Sequence, residues 1–257
     1  MIENSATTEE LLIDVIARLL DGVRHVAVGV LSPIPGSGAL LAAERAHRDP
    51  MKPEVKVSII GSLKEPYRTD GGVDLFDCAG QGRLDAFFLS GGQIDGAANI
   101  NLVGVGDYPQ STVRWSGSFG SAYLYYMVPR VILFREKHNR RTLVESVDFI
   151  SAPGTSPANV YRPGGPAALV TELCLFSFDR ERARFRLESV HPGHTLDEVR
   201  DQTGFDFDVA PDCGETVPPS AEALETIRTI VAGRIADPYP QFAESRFGVT
   251  QEAACGL

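Results

Sequence analysis

The chain begins with a polar segment followed by apolar residues at helical spacing. Thr7 and Glu10 have the arrangement of a capping box, in which each side chain bonds the other residue's backbone. Apolar positions then recur at helical intervals as far as Leu20, and Gly22 ends the pattern. This predicts an amphipathic helix. A short run rich in β-branched residues follows at 25–30 and predicts a buried strand.

The next elements complete a β-α-β pattern. An Ala- and Leu-rich run predicts a helix from about Gly38 to His47, and two prolines stop it. Residues 55–60 predict the second strand. A connection of about twenty residues through a helix favours two parallel strands covered by helices.

The rest of the chain carries further strands and two helices. Apolar runs predict strands at 85–90, 131–134 and 167–170, and a hairpin is predicted between 172 and 189. Thr195 and Glu198 form a second capping-box pattern that opens a short helix, and a last amphipathic helix is predicted at 220–231. The pattern is typical of an α/β fold with a mostly parallel sheet flanked by helices, with a C-terminal hairpin and helices, in a single domain over 1–257.

Composition narrows the function classes. Of the 257 residues 43% are hydrophobic and 23% charged, and the formal net charge of -10 argues against non-specific binding to nucleic acid or anionic membranes. No apolar run reaches the roughly 20 residues that span a bilayer, and the acidic start is unlike a signal peptide. The four cysteines are far apart and lack metal-ligand spacing, which indicates reduced thiols in a cytoplasmic protein and no metal site.

A stretch of glycines and polar residues follows the predicted strand at 85–90. Its candidate ligand contacts are Gly91, Gly92, Gln93, Asp95, Asn99 and Asn101. In an open α/β sheet, ligands bind beyond the carboxyl ends of strands, where this segment is expected. The alternative is a tight hairpin in which these side chains satisfy local backbone groups. The sequence leaves both interpretations open.

A second glycine-rich stretch, residues 116–121, precedes a predicted aromatic helix. Gly117, Ser118 and Gly120 could present backbone amides to a thioester or an oxyanion. The stretch lacks the spacing of known phosphate-binding motifs, so a simple turn is the alternative.

One basic run stands out in the acidic chain and contains Arg135, Lys137, His138, Arg140 and Arg141. It could contact a phosphate-rich group, but such runs more often form a solvated hairpin tip, which we favour. His191 could act as a base, yet a turn that leads into a helix explains it better, since no nucleophile accompanies it.

Several motifs in order resemble the β-type subunit of the family I CoA-transferases, in particular the glutaconate CoA-transferase branch. The carrying segments are GQGRLD at 80–85, GGQIDGAANIN at 91–101, the glycines at 117–120, RRTLVESVDFISAPG at 140–154 and HPGHTLDEVRDQTG at 191–204. The resemblance implies an α-type partner in a heterodimer or heterotetramer, and an active site at the shared interface. It further implies acyl-CoA substrates, with coenzyme A as part of the substrate and no tightly bound cofactor.

The resemblance fails at the residue that defines the transferases. Their nucleophile is a glutamate in a Glu-Ser-Gly or Glu-Asn-Gly motif just after the second strand, and matching its glycine to Gly61 puts Ile59 in the glutamate position. Isoleucine cannot form the mixed anhydride that transfer requires. Ser62 lacks an adjacent base, and Glu65 could substitute only if the alignment is shifted. No residue of this chain is therefore assigned a catalytic role.

Two relatives of this fold carry out other acyl-CoA chemistry. One is a steroid-ring-opening hydrolase, whose catalytic carboxylate belongs to the α-type subunit. The other is a glutaconyl-CoA-type decarboxylase with a cysteine in the glutamate position, followed by Gly-Ser-Leu as at 61–63 here. Hydrolysis or decarboxylation is therefore expected rather than CoA transfer. A genuine transferase subunit and a non-catalytic scaffolding subunit remain as alternatives.

The carboxyl ends of the predicted strands indicate where the candidate substrate contacts lie. Ser32 should lie on the rim beyond the first strand, and Ser62 on the rim beyond the second. Gln93, Asp95, Asn99 and Asn101 are the polar substrate-side candidates, and the glycine loop at 117–120 is the expected thioester or CoA contact.

Overall fold

The computed structural model describes residues 6–66 and 72–250. The chain forms two compact units. Among the described residues, the first comprises 6–66, 72–86 and 217–250, and the second comprises 87–216. The single-domain assignment stays a prediction. Across the described residues, each helix is too short or too polar to cross a lipid bilayer.

Eight α-helices are present among the described residues. They are α1 (Thr8–Leu19), α2 (Pro33–Arg48), α3 (Val73–Gly80), α4 (Ser121–Met127), α5 (Leu196–Gln202), α6 (Ala221–Thr226), α7 (Ala232–Ile235) and α8 (Pro240–Phe247). A π-helical segment, Ile227–Val231, joins α6 to α7.

Twelve strands are present in the same residues. They are β1 (His25–Val28), β2 (Lys56–Ile59), β3 (Ala86–Leu89), β4 (Gln93–Ile94), β5 (Ile100–Asn101), β6 (Gly104–Val105), β7 (Val113–Arg114), β8 (Arg130–Arg135), β9 (Pro166–Thr171), β10 (Cys174–Asp179), β11 (Arg184–Val190) and β12 (Asp208–Glu215).

In the first unit, the predicted β-α-β start is confirmed. The α1 capping box is present: the Glu10 N–H donates to Thr7 Oγ1 at 3.2 Å, and the Thr7 N–H donates to Glu10 Oε2 at 2.9 Å. Leu12 and Ile16 on the buried face of α1 are fully excluded from solvent. β1 and β2 pair in parallel, as the crossover through α2 predicted.

The start of α2 was predicted five residues too late. The helix begins at Pro33 instead of Gly38. Pro33 stands in the first turn, where a proline loses no helical hydrogen bond and its fixed φ suits the helix. The correction matters because it puts Ser32 at the helix N-cap.

In the second unit, the main strands follow the order β12-β11-β10-β9-β8-β3. β8–β9 and β11–β12 are parallel pairs, while β9–β10 and β10–β11 are antiparallel. The predicted hairpin is confirmed, with Asp179 paired to Arg184. The α/β class, with a mostly parallel sheet flanked by helices, is likewise confirmed.

Two helix predictions needed correction. Thr195 caps α5, but the Glu198 carboxylate accepts from His194 Nδ1 at 3.0 Å instead of closing a capping box. The helix predicted at 220–231 continues through its π segment to Ile235, and α8 follows it. Pro240 was not recognised as the first residue of a helix.

Candidate functional site

Two loops leave the same edge of the first unit, because β1 and β2 are parallel and end side by side. Val28, the last residue of β1, is the register partner of Ile59, the last residue of β2. The loops begin at the carboxyl ends of the strands, where α/β proteins bind ligands. The structure brings Ser32 and Ser62, two predicted substrate-side residues, to this edge.

The loop after β1 turns two apolar side chains to solvent. Val30 is 62% exposed and Leu31 is 87% exposed. Leu31 has φ 59°, in the left-handed region that costs a non-glycine residue about 1 kcal/mol. Tyr239 holds the backbone on both sides: its hydroxyl donates to the Gly29 carbonyl at 2.8 Å and accepts from the Ser32 N–H at 3.4 Å. Burial raises the pKa of Tyr239 to about 12, so this hydroxyl keeps its proton at neutral pH.

The loop after β2 folds back onto Ile59, which is 1% exposed. The Ile59 N–H donates to the Glu65 carbonyl at 2.8 Å, and its carbonyl accepts from the Ser62 N–H at 3.1 Å. Gly61 has φ 88°, a conformation that favours glycine and explains the residue at this turn. The position that matches the transferase glutamate is therefore a buried hydrocarbon side chain at the base of a tight loop.

Ser62 and Asp237 fix the loop from within. Ser62 is buried, and its Oγ donates to Asp237 Oδ2 at 2.6 Å and accepts from the Glu65 N–H at 2.8 Å. The same Asp237 oxygen accepts from the N–H groups of Leu63 at 2.8 Å and Lys64 at 3.1 Å. Leu63 itself is 86% exposed. Asp237 thus holds the backbone that presents Leu63 to solvent.

The charge state of Asp237 argues against an activated serine. Burial raises its pKa, but the hydrogen bonds from Ser62 and from the Lys64 and Leu63 amides outweigh that effect and hold it below its usual value. A carboxylate with a lowered pKa is a weak general base. Ser62 therefore lacks the strong base that a serine nucleophile needs.

Glu65 is held by an ion pair. Its Oε1 accepts from both Nε (3.1 Å) and Nη2 of Arg234, whose Nη1 donates to Glu44 Oε1 at 2.5 Å. These hydrogen bonds hold the Glu65 carboxylate against Arg234, so that this oxygen is already engaged within the protein. The alternative in which Glu65 replaces the missing nucleophile stays a prediction.

Sequence reasoning missed the C-terminal residues of this edge. Arg234, Asp237 and Tyr239 contact loops more than 160 residues earlier in the chain, and they come from a segment predicted to lie beyond the last helix. The signal was the run Asp-Pro-Tyr-Pro at 237–240, in which prolines stiffen the backbone beside two polar side chains.

In the second unit, the polar segment 91–101 satisfies its own backbone. Asn101 is fully buried, and its Nδ2 donates to Gln93 Oε1 and to the Gly104 carbonyl, both at 2.7 Å. Its Oδ1 accepts from the N–H groups of Val103 at 2.9 Å and Gly104 at 3.3 Å. Gln93 Oε1 also accepts from the Asp148 N–H at 3.0 Å.

Asp95 and Asn99 close the turn between β4 and β5. Asp95 Oδ1 accepts from the N–H groups of Ala97 and Asn99, both at 3.0 Å, and its Oδ2 accepts from Asn99 Nδ2 at 3.0 Å. Asn99 Oδ1 accepts from the Gly154 N–H at 3.1 Å. These contacts fit the local-turn interpretation of the sequence. A substrate-binding role for the four polar residues remains a prediction.

The glycines that open this segment are packed against protein. A Cβ on Gly92 would lie 2.1 Å from the Trp115 ring, and one on Gly91 would lie 2.8 Å from Ile100 Cγ2. The Gly92 N–H donates to the Asn101 carbonyl at 2.9 Å. Close approach is therefore the reason for glycine here, and side chains of the same unit make that approach.

The glycine loop before α4 is more open. Gly117 has φ 98°, and Phe119 has φ 43° and is 80% exposed. Gly120 is the N-cap of α4, whose first residue donates its N–H to the Ser118 carbonyl at 2.8 Å. The predicted contact of Gly117, Ser118 and Gly120 with a thioester or CoA stays a prediction.

The basic run is not solvated throughout, which corrects the hairpin-tip interpretation. His138 is 5% exposed, and its ring nitrogens lie 2.8 Å from Thr171 Oγ1 and 2.9 Å from Thr203 Oγ1. Burial lowers its pKa to about 4, so the ring is neutral. His191 is buried as well, 2.8 Å from Thr216 Oγ1, in a turn that precedes α5. Both histidines support the interior of the unit.

Comparison with known proteins gives consistent matches. The family described as coenzyme A transferase matches residues 25–202. A subunit of the 3-oxoadipate CoA-transferase of Pseudomonas knackmussii is 32% identical over 157 residues, which is 59% of this chain and 60% of that protein. A cholesterol ring-cleaving hydrolase IpdB subunit of Rhodococcus jostii is 32% identical over 164 residues, 62% of this chain and 64% of its own length.

Solved structures extend the similarity over more of the chain. A variant of the decarboxylase AibA/AibB matches with a TM-score of 0.72 and 25% identity, covering 87% of this chain and 95% of that one. The sequence alignments, in contrast, span about three fifths of the curated relatives' length.

Proposed function

Because this chain belongs to the coenzyme A transferase family, we propose that it is the β-type subunit of a heteromeric enzyme acting on an acyl-CoA thioester. The proposed reaction is hydrolytic C–C cleavage or decarboxylation rather than CoA transfer. The names of its relatives, which are subunits of larger enzymes, support an α-type partner in a heterodimer or a heterotetramer.

Ile59 carries the proposal. CoA transfer by this family needs a carboxylate that takes the acyl group as a mixed anhydride and then carries CoA as a glutamyl thioester. Ile59 lies at the end of β2 with 1% of its surface exposed, and its side chain offers no oxygen. Hydrolysis and decarboxylation require no such carboxylate in the β-type chain.

The neighbouring acids are already engaged. Glu65 is paired with Arg234, and Asp237 accepts three hydrogen bonds through one oxygen. Asp237 has a lowered pKa, whereas a general acid or base at neutral pH requires a raised one. The proposed contribution of this chain is therefore to bind and orient the thioester, while a carboxylate of the α-type partner performs the chemistry.

Stabilising a developing enolate oxygen is the second proposed contribution. Since the Gly92 amide is already bonded within its own unit, the loop at 117–120 is the better candidate donor. Removing one such donor typically costs about 3 kcal/mol of transition-state stabilisation.

Genuine CoA transfer is the second candidate function. The observation that favours it is the 32% identity to a subunit of a 3-oxoadipate CoA-transferase. In that case Glu65 or the partner would supply the nucleophile.

Trapping of the intermediate separates the two candidates. The chain is co-purified with its α-type partner, incubated with acyl-CoA and a free carboxylate, and treated with hydroxylamine or borohydride, which mark a glutamyl thioester. We expect no modified peptide from this chain and no CoA exchange. An Ile59→Glu variant restores the family residue and provides the matched positive control.

A modified peptide that contains Glu65, lost together with CoA exchange in Glu65→Gln, would establish transfer instead. If the complex binds no CoA ester in calorimetry, the chain has a scaffolding role.

A further inference from the structure

An apolar edge lies beyond β1 and β2 of the first unit and consists of Val30, Leu31 and Leu63. Their exposed fractions are 62%, 87% and 86%. Single exposed leucines are ordinary on protein surfaces. These three come from two loops that start at paired strand ends, next to the position of the family's acyl-accepting residue. Their grouping therefore points to a ligand or a partner.

The backbone beneath the apolar edge is held in place. Leu31 has a left-handed conformation, and Tyr239 bonds the backbone of Gly29 before it and of Ser32 after it. The Leu63 N–H is bonded to Asp237. Strained residues persist where the surroundings over-determine them, and such sites are often functional. Two apolar side chains on fixed backbone also lose little conformational entropy when a ligand covers them.

The charges around the apolar edge disfavour an anionic acyl tail. Arg234 is shared by Glu44 and Glu65, and the charge of Lys64 acts on Asp237. These three carboxylates and two cations sum to one net negative charge. A second carboxylate on the acyl group would meet hydrocarbon and a like charge, which is costly.

We propose that the apolar edge binds an uncharged hydrocarbon acyl group, so that the enzyme selects against dicarboxylate CoA esters. Of the two proposed reactions, this inference retains hydrolytic C–C cleavage, because decarboxylation needs a carboxylate on the acyl group. This inference rests on the proposed function, since it assumes that an acyl-CoA thioester reaches this edge. This preference separates the chain from the relative whose name specifies 3-oxoadipate.

The test uses two unreactive thioethers of equal carbon number, S-hexyl-CoA and S-(5-carboxypentyl)-CoA, with free CoA as reference. Calorimetry on the complex with the α-type partner gives the Kd of each. We expect S-hexyl-CoA to bind at least ten-fold more tightly than its carboxylated counterpart. Leu31→Ser and Leu63→Ser should each weaken S-hexyl-CoA about ten-fold and leave free CoA unchanged.

Leu63→Arg adds a cation to the edge and should shift the preference toward S-(5-carboxypentyl)-CoA. Met51→Ser is the matched control, because Met51 is 88% exposed and precedes β2 rather than following it. This control should bind all three ligands as the unchanged protein does.

Equal affinity for the two thioethers, with both tighter than free CoA, overturns the inference and leaves the proposed function standing. Loss of complex assembly in Leu31→Ser or Leu63→Ser, measured by size-exclusion chromatography, with an unchanged ligand preference, also overturns it and makes the edge a partner contact. If the complex binds none of the three ligands, the proposed function fails and the inference with it.

Discussion

The apolar edge of the first unit and the polar segment 91–101 of the second place their side chains in opposite ways. Leu31 and Leu63 stand in solvent on backbone that other residues hold. Gln93 and Asn101 are buried and direct their hydrogen bonds to neighbouring peptide groups. The sequence indicates a candidate function for the polar residues that follow Gly91 and Gly92. The exposed side chains of Leu31 and Leu63 are instead the feature that local structure does not explain.

The difference shows why residue type alone misleads. A buried amide must find partners, so it is fixed by the fold whether or not a ligand is present. An exposed leucine in a left-handed conformation has no such reason to be there. Where the fold does not require an exposed apolar side chain, contact with a ligand or a partner explains its presence better.

The largest expected effect comes from the polar segment. Asn101→Ala leaves the Gly104 carbonyl and two amides without their partner, and should lower the free energy of unfolding by about 4 kcal/mol. Trp115 is the single tryptophan of the chain and lies in the second unit, so its fluorescence in denaturant reports the change.

Gln110→Ala, which removes an exposed amide from the same unit, is the control and should change stability by less than about 0.5 kcal/mol. An equal, small effect of both substitutions would remove the distinction between the two regions.

Acid should destabilise the second unit through His138. Its pKa is about 4 in the folded protein against an ordinary value of 6.5. Below pH 6.5 the unfolded chain therefore binds a proton that the folded chain does not, and stability falls by about 1.4 kcal/mol per pH unit. The loss ends near pH 4 at a total of about 3 kcal/mol.

Denaturant titrations at several pH values, compared with His138→Gln, isolate this contribution. A His138→Gln protein with the same slope between pH 6.5 and 4 would contradict the assignment.

A smaller effect on stability is expected from the hydrogen bonds that Asp237 accepts beneath the apolar edge. Asp237→Asn keeps the size of the side chain but removes its charge, and should cost about 1–2 kcal/mol because three donors lose an ionised acceptor. Hydrogen exchange of the Leu63 and Lys64 amides should accelerate more than that of β2. Asp212→Asn, at an exposed position of β12, is the control. Unchanged hydrogen exchange at Leu63 and Lys64 would mean that other contacts fix the loop without Asp237.

The smallest effect is expected at the apolar edge itself. Leu31→Asn removes an exposed side chain and substitutes a residue that tolerates the left-handed region, so stability should stay equal or rise by about 0.5 kcal/mol. Thermal unfolding measures it. A decrease of more than about 1 kcal/mol in the free energy of unfolding would show that Leu31 stabilises the fold. The apolar edge would then have a structural role.

Local chemistry made much of the fold predictable. The α1 capping box, the parallel β1–β2 pair and the β10–β11 hairpin follow from residues close together in sequence, since caps, crossovers and turns are short-range features. The α2 start failed because the same proline breaks a helix interior and begins a helix, according to position.

The candidate site was predictable only in part. Matching Gly61 to the family motif put Ile59 in the glutamate position from sequence alone, and in the structure Ile59 is the last residue of β2. Tyr239 and Asp237 could not be assigned, because a hydrogen bond between residues about 200 positions apart leaves no local pattern.

The sequence by itself determined the family, the order of elements and the absence of a carboxylate at position 59, since each depends on residue identity or near neighbours. Only the tertiary structure decided which side chains are buried and hydrogen-bonded within the protein and which are exposed. In the folded chain Gln93, Asp95 and Asn101 are buried and form hydrogen bonds with nearby backbone groups, whereas Leu31 and Leu63 stay exposed. The physical reason is that a polar group removed from water must be bonded within the protein, and only the folded chain determines which groups are removed.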